Sequence, residues 1–131
     1  LAKKIICIDT PLYNYLNRKN STMTSAFNLN KLALITIQKN ICELLKIRYP
    51  KHFLYMQKVL CSKQFYLLNC LLSNPENVRM SEEALKLETE ILLSYSEYMS
   101  NSQMGVNKYM LFLIKYAPKL IWHMVLKLKF L

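Results

Sequence analysis

Apolar residues recur along this chain at helical spacing, and the pattern is clearest between Cys61 and Met99. In the run CSKQFYLLNCLLS, Phe65, Leu68, Leu71 and Leu72 share one face at the i+3, i+4 and i+7 separations of a helix. The polar stretch Asn74-Pro75-Glu76-Asn77 follows. Pro75 has the fixed φ of a first helical position, Asn74 suits the N-cap, and Glu76 lies where the helix dipole favours negative charge. A second start is available at Ser81, so a short helix over 75–80 bending into a longer one is expected. Beyond it Val78, Leu85, Leu92 and Met99 recur every seven residues, widened by Leu87, Ile91, Tyr95 and Tyr98. Glu82, Lys86 and Glu90 fall on the opposite side, read as solvated with i,i+4 pairing. This hairpin predicts one core holding Leu68, Leu72, Leu85 and Leu92.

The rest of the chain repeats the theme. Residues 1–9 read as a strand or a helix tail, Pro11–Arg18 as a short helix showing Leu12, Tyr15 and Leu16, and 19–25 as a polar loop. A helix is expected from Thr24 or Ser25 to Arg48, with the stripe Phe27, Leu34, Ile37, Ile41, Leu44 and Leu45. Leu32, Ile35 and Cys42 give it a second apolar face, so it should sit between neighbours. Tyr49-Pro50 ends it, because the residue before proline is pushed out of helical geometry. Helix then resumes from Lys51 to Leu72, with a break near Ser62 allowed for. Residues 101–105 hold the only glycine and read as a loop. Val106–Ala117 is a helix with Val106, Tyr109, Met110 and Leu113 inward, and Pro118 opens a last one carrying Leu120, Ile121, Met124, Val125 and Leu128.

With one glycine and four prolines in 131 residues, the chain lacks the frequent turn residues of an all-β fold. An all-α domain of five to seven helices is the expectation, spanning 1–131 as one unit and read as a fragment of a longer protein. Pro11 and Pro50 lie 39 residues apart, and Pro75 and Pro118 lie 43 apart, within or close to the unit length of helical repeats. The phrase Leu71-Leu72-Ser73-Asn74-Pro75-Glu76, followed by Glu83-Ala84-Leu85, resembles an armadillo or HEAT consensus. That resemblance implies a short array of antiparallel helices that holds other proteins, and it implies no catalytic residue. The alternative fold is a compact bundle similar to viral Bcl-2 proteins, which would hold a partner's amphipathic helix in a groove. Connectivity separates the two: consecutive hairpins mean an array, and one central helix wrapped by the others means a bundle.

Charge and chemistry narrow the function. Residues 1–75 carry eleven Lys or Arg against Asp9 and Glu43, residues 76–97 carry six Glu against Arg79 and Lys86, and residues 98–131 carry five Lys and no acid, within a net charge of +10. Polyanion contact through Lys39, Lys46, Arg48, Lys51 and Lys58 is therefore an alternative function, that of a basic nucleic-acid-binding helical domain. The lysines are dispersed as singletons, so such contact is expected to be weak and non-specific. A single glycine excludes a phosphate-cradling loop, and Asp9 is the only aspartate. Cys61 and Cys70 are nine residues apart and His52 and His123 are remote, which is not the paired spacing of a structural zinc site. No enzyme activity, metal or cofactor is expected. Cys7, Cys42, Cys61 and Cys70 form no CxxC pair and sit among apolar residues, the pattern of buried free thiols in a reducing compartment, cytoplasmic or nuclear. No stretch is apolar enough to span a membrane, since Lys115, Pro118, Lys119, His123, Lys127 and Lys129 interrupt the C-terminal run. The preferred function is a non-enzymatic protein-interaction module that binds another protein or a second copy. Tyr109, Phe112, Tyr116, Trp122 and Phe130 are its candidate contact residues, because aromatic anchors commonly dominate such surfaces.

Overall fold

The computed structural model describes residues 27–73 and 77–129, and all of it is helical or short connection. A 3-10 turn over Leu29–Leu32 leads into α1 (Ala33–Arg48). The other α-helices are α2 (Pro50–Leu72), α3 (Val78–Leu93), α4 (Tyr95–Ser100), α5 (Asn107–Tyr116) and α6 (Lys119–Lys129). The all-α expectation of five to seven helices holds among the described residues. Expectations for residues 1–26, for Asn74, Pro75 and Glu76, and for Phe130 lie outside them.

Local chemistry explains the breaks. Tyr49 has φ −142° and ψ 61°, the non-helical geometry imposed by the proline that follows, and Pro50 then occupies the first position of α2. No break occurs at Ser62; α2 runs unbroken for 23 residues. The Asn77 side chain accepts a hydrogen bond from the Met80 amide at 3.1 Å and caps α3, which continues through Ser81. The expected single helix to Ser100 is interrupted at Ser94, whose ψ is 4°, so that α3 ends at Leu93 and α4 starts afresh at Tyr95. Gly105 has φ +52°, a left-handed conformation that side-chain-bearing residues rarely adopt. A Cβ there would meet nothing within 4 Å, so the requirement is conformational.

The core is built around α2. Cys61, Gln64, Phe65, Leu67, Leu68 and Leu71 are all buried, covering more than one face of the helix. α2 touches α1, α3, α4, α5 and α6. Its contact with α6 joins elements far apart in the chain, which is the connectivity of helices gathered around one member.

Several expected stripes are rotated. On α3 the inward residues are Ala84, Leu87 and Ile91, while Val78 and Leu85 point outward, Leu85 at 59% exposure. Leu68 is buried and Leu72 and Leu92 pack against the core, so Leu85 alone drops out of the proposed quartet. The 84/87/91 side is also the side from which Glu90 reaches Gln64 of α2. On α1 the expected secondary face is the buried one, through Ile35 and Cys42, and Leu34, Ile37 and Leu44 are exposed. On α5 Met110 is buried and Leu113 packs against the core as expected, but Val106, just before the helix, and Tyr109 are exposed, and Leu111 and Ile114 are buried in their place. Glu90, expected in water, reaches inward, and Lys86 pairs with Glu83 at 2.6 Å rather than with a residue four away.

A ladder of polar side chains crosses the core. Gln64 donates to Glu90 Oε1 at 2.8 Å and accepts from the Tyr98 hydroxyl at 2.8 Å. One heptad earlier, Gln57 donates to Glu97 Oε1 at 2.7 Å and accepts from Asn101 Nδ2 at 2.6 Å. Asn101 also donates to the Leu54 carbonyl at 2.9 Å, and its Oδ1 accepts from the Gln103 amide at 2.8 Å. Lys39 closes the outer end on Glu90 at 2.6 Å.

Two outcomes follow from this packing. Ile91→Ala should lower unfolding free energy by about 2–5 kcal/mol in urea titration, whereas Leu85→Ala should change it by under about 0.5 kcal/mol. Gln64→Ala should cost about 2–3 kcal/mol, because it strands the buried Tyr98 hydroxyl and removes a donor from Glu90. Tyr98→Phe, which leaves only one acceptor unpaired, should cost less in the same assay.

Candidate partner-contact site

The five aromatic candidates separate in the structure. Tyr109, Phe112 and Tyr116 lie at i, i+3 and i+7 on α5 and are exposed by 75%, 53% and 60%. Phe112 and Tyr116 pack with their rings tilted by 46° and their centroids 4.9 Å apart. Tyr95, at the start of α4, meets Tyr116 edge-on at 6.3 Å. The Lys115 ammonium lies 3.9 Å from the Tyr95 centroid and 5.3 Å from that of Tyr116, a cation held over two rings. Trp122 does not belong to this surface: it is 1% exposed and packs into the core from α6. Its expected place outside came from the untidy pattern of the C-terminal run; the two-sided apolarity of α6 hid which face turns inward. Phe130 lies outside the described residues. Tyr95 was read only as part of the α3 stripe, and the kink at Ser94, which sequence did not indicate, brings it to α5.

The candidate polyanion residues are likewise dispersed. Lys39 is tied to Glu90 and lines a cleft of about 180 Å³ with Cys42, Glu43, Phe53, Gln57 and Tyr98. Lys46 is exposed and sits 5.7 Å from the Phe53 ring. Arg48 and Lys51 are exposed on either side of the Tyr49–Pro50 corner. Lys58 joins Tyr55, Val59, Ser62, Lys63 and Tyr66 along a shallow groove of about 340 Å³ on the outer side of α2. Here candidate Lys58 shares a groove with Lys63 and two tyrosines, which the 55/59/62/66 spacing could have revealed. The Tyr66 phenol is pushed above its ordinary pKa by a hydrogen bond to Cys70, reinforced by the thiolate charge that Cys70 can carry and by burial.

Chemistry of other kinds has little to build on here. Cys42 and Cys61 are buried and Cys70 is half-buried, none of them in a disulfide; Cys7 lies outside the described residues. Burial pushes the Cys42 thiol up, aided by the negative charges of Glu43 and Glu97, which works against thiolate formation. Among the described residues no three His, Cys, Asp or Glu side chains converge to hold a metal ion. No helix among them is long and apolar enough to cross a membrane.

His123 lies beside Trp122 on α6, with its Nε2 buried and without a protein partner. Burial holds its pKa below the ordinary value, and Lys127 and Lys119 push the same way. The folded chain thus binds this proton less readily than the unfolded chain. Stability is complete above the unfolded value near ~6.5 and falls as pH drops through it toward the folded value. The melting temperature should be lower at about pH 5.5 than at neutral pH, and His123→Gln should narrow that difference.

Compared with known protein families, with characterised proteins and with solved structures, the chain matches none.

Proposed function

We propose that this chain is a non-enzymatic protein-contact module and that the aromatic face of α5 is its contact surface. The carrying observation is the set of Tyr109, Phe112 and Tyr116 on one exposed face, with Tyr116 braced by Tyr95 and Lys115. Large aromatic side chains left in water are costly, and rings already held by neighbours lose little freedom when a partner covers them. Lys115, and the absence of any acid in residues 98–131, favour a partner surface that is apolar with an acidic edge. The helix-in-groove alternative draws less support, because the described cleft between α1, α2 and α4 is small and lined largely by polar side chains.

A second reading has its own observation, the basic and aromatic groove on α2 formed by Tyr55, Lys58, Lys63 and Tyr66. Stacking rings beside lysines suit weak, salt-sensitive contact with single-stranded nucleic acid.

The test is site-specific. A photo-cross-linking side chain at position 109 should capture a discrete partner that the same group at Leu93, an equally exposed site on α3, does not. The double substitution Phe112→Ala and Tyr116→Ala should weaken that partner's binding by about tenfold or more, with little change in melting temperature. Retention of full affinity in this variant, with loss on Lys58→Ala and Lys63→Ala, would move the function to the α2 groove.

A further inference from the structure

α6 turns its smaller apolar face inward. Trp122 and Leu126 are buried and His123 is half-buried beside them. Leu120, Ile121, Met124, Val125 and Leu128 are all exposed, Leu120 and Leu128 at 72%. At 3.6 residues per turn these five occupy one continuous arc of about 140° with no polar residue inside it. An arc that wide is what a helix ordinarily turns toward a core. Lys127, exposed, borders it three residues beyond Met124 and seven beyond Leu120. Lys119 lies on the opposite side of the helix, near Leu126 in angle, and is paired with Glu88 at 3.4 Å.

We propose that α6 lies in the plane of an anionic lipid surface, with this arc among the upper acyl chains and Lys127 among the headgroups. Three observations select that occupant. Residues 98–131 carry five Lys and no acid, which matches an anionic surface and opposes a second copy of a chain whose net charge is +10. One face of an eleven-residue helix, about 16 Å long, falls well short of the ~800 Å² that each partner contributes to a stable protein interface. Clefts among the described residues run between α1, α2 and α4, along α2, and between α1 and α3, and none of these three includes a residue of the arc. An apolar strip bordered by lysine, whose long stem lets its charge reach outward, suits a yielding flat surface. The proposal concerns a face of α6, whereas the protein-contact reading concerns α5, so either can fail alone.

The experiment is co-sedimentation of the full chain with vesicles of phosphatidylcholine alone and of an equimolar phosphatidylcholine–phosphatidylserine mixture. Partitioning should be at least about tenfold stronger onto the anionic vesicles and should weaken with added salt. Leu120→Gln with Leu128→Gln should reduce it by about tenfold or more, with the helical circular dichroism unchanged. Val78→Gln with Leu93→Gln, which alters comparably exposed apolar residues on α3, should leave it unchanged. Equal partitioning onto both vesicle types, or an undiminished signal from the α6 variant, overturns the proposal. So does an absence of vesicle binding combined with a two-chain mass in sedimentation equilibrium that the α6 substitutions return to one chain, which would assign the arc to a second copy. Capture of an acidic amphipathic peptide by the arc, without vesicle binding, would assign it to a protein partner.

Discussion

The buried side-chain amides of α2 constrain everything else in the fold. Gln57 and Gln64 sit one heptad apart on the buried side of α2, where an unpaired amide costs far more than it would in water. Both are satisfied by residues from α3, α4 and the loop after α4: Glu90, Tyr98, Glu97 and Asn101. Apolar packing alone tolerates rotation of a helix about its axis, because one leucine can replace another. Hydrogen bonds between named atoms do not, so these four partners fix the rotation and height of α3 and α4 against α2. Ser94 ends α3 at Leu93, and Tyr98 and Asn101 reach α2 from α4 and the loop that follows it.

Fixing the rotations by polar pairing leaves apolar residues outside. Ala84, Leu87 and Ile91 face α2, and Val78, Leu85 and Leu93 are left in water. Likewise Ile35 and Cys42 anchor α1 while Leu34, Ile37, Leu44 and Ile47 remain exposed. The same division puts the aromatic row of α5 and the aliphatic arc of α6 on the surface. Scattered exposed leucines are ordinary, but rows that follow helical spacing offer continuous surface to a partner. The two rows differ in character: α5 presents braced rings beside a lysine, whereas α6 presents flexible aliphatic side chains bordered by one.

The helices themselves were legible in the sequence. Their number and approximate bounds, the corner at Tyr49–Pro50, the loop around Gly105 and the new start at Pro118 all follow from local chemistry that needs no tertiary partner. The buried character of Leu68 and Leu71 followed from spacing as well. Exposed Tyr109, Phe112 and Tyr116 were among the candidate contact residues, although Tyr109 was also read as inward and their brace from Tyr95 was not visible. Trp122 was misplaced, because in α6 apolar residues surround the axis and periodicity cannot say which side meets α2.

Local sequence thus determined where the backbone is helical, since capping, proline geometry and apolar spacing act within a few residues. It also set the charge distribution, with its basic ends and acidic middle. Tertiary structure decided which of two apolar faces each helix buries and which lysines are free of carboxylates. It also brought together residues as distant in sequence as Gln57 and Asn101 or Tyr95 and Tyr116. The physical reason is that a two-sided apolar helix has two burial choices of similar hydrophobic free energy. The tie is broken by the need to pair buried amides, whose partners lie 26 to 44 residues away in the chain.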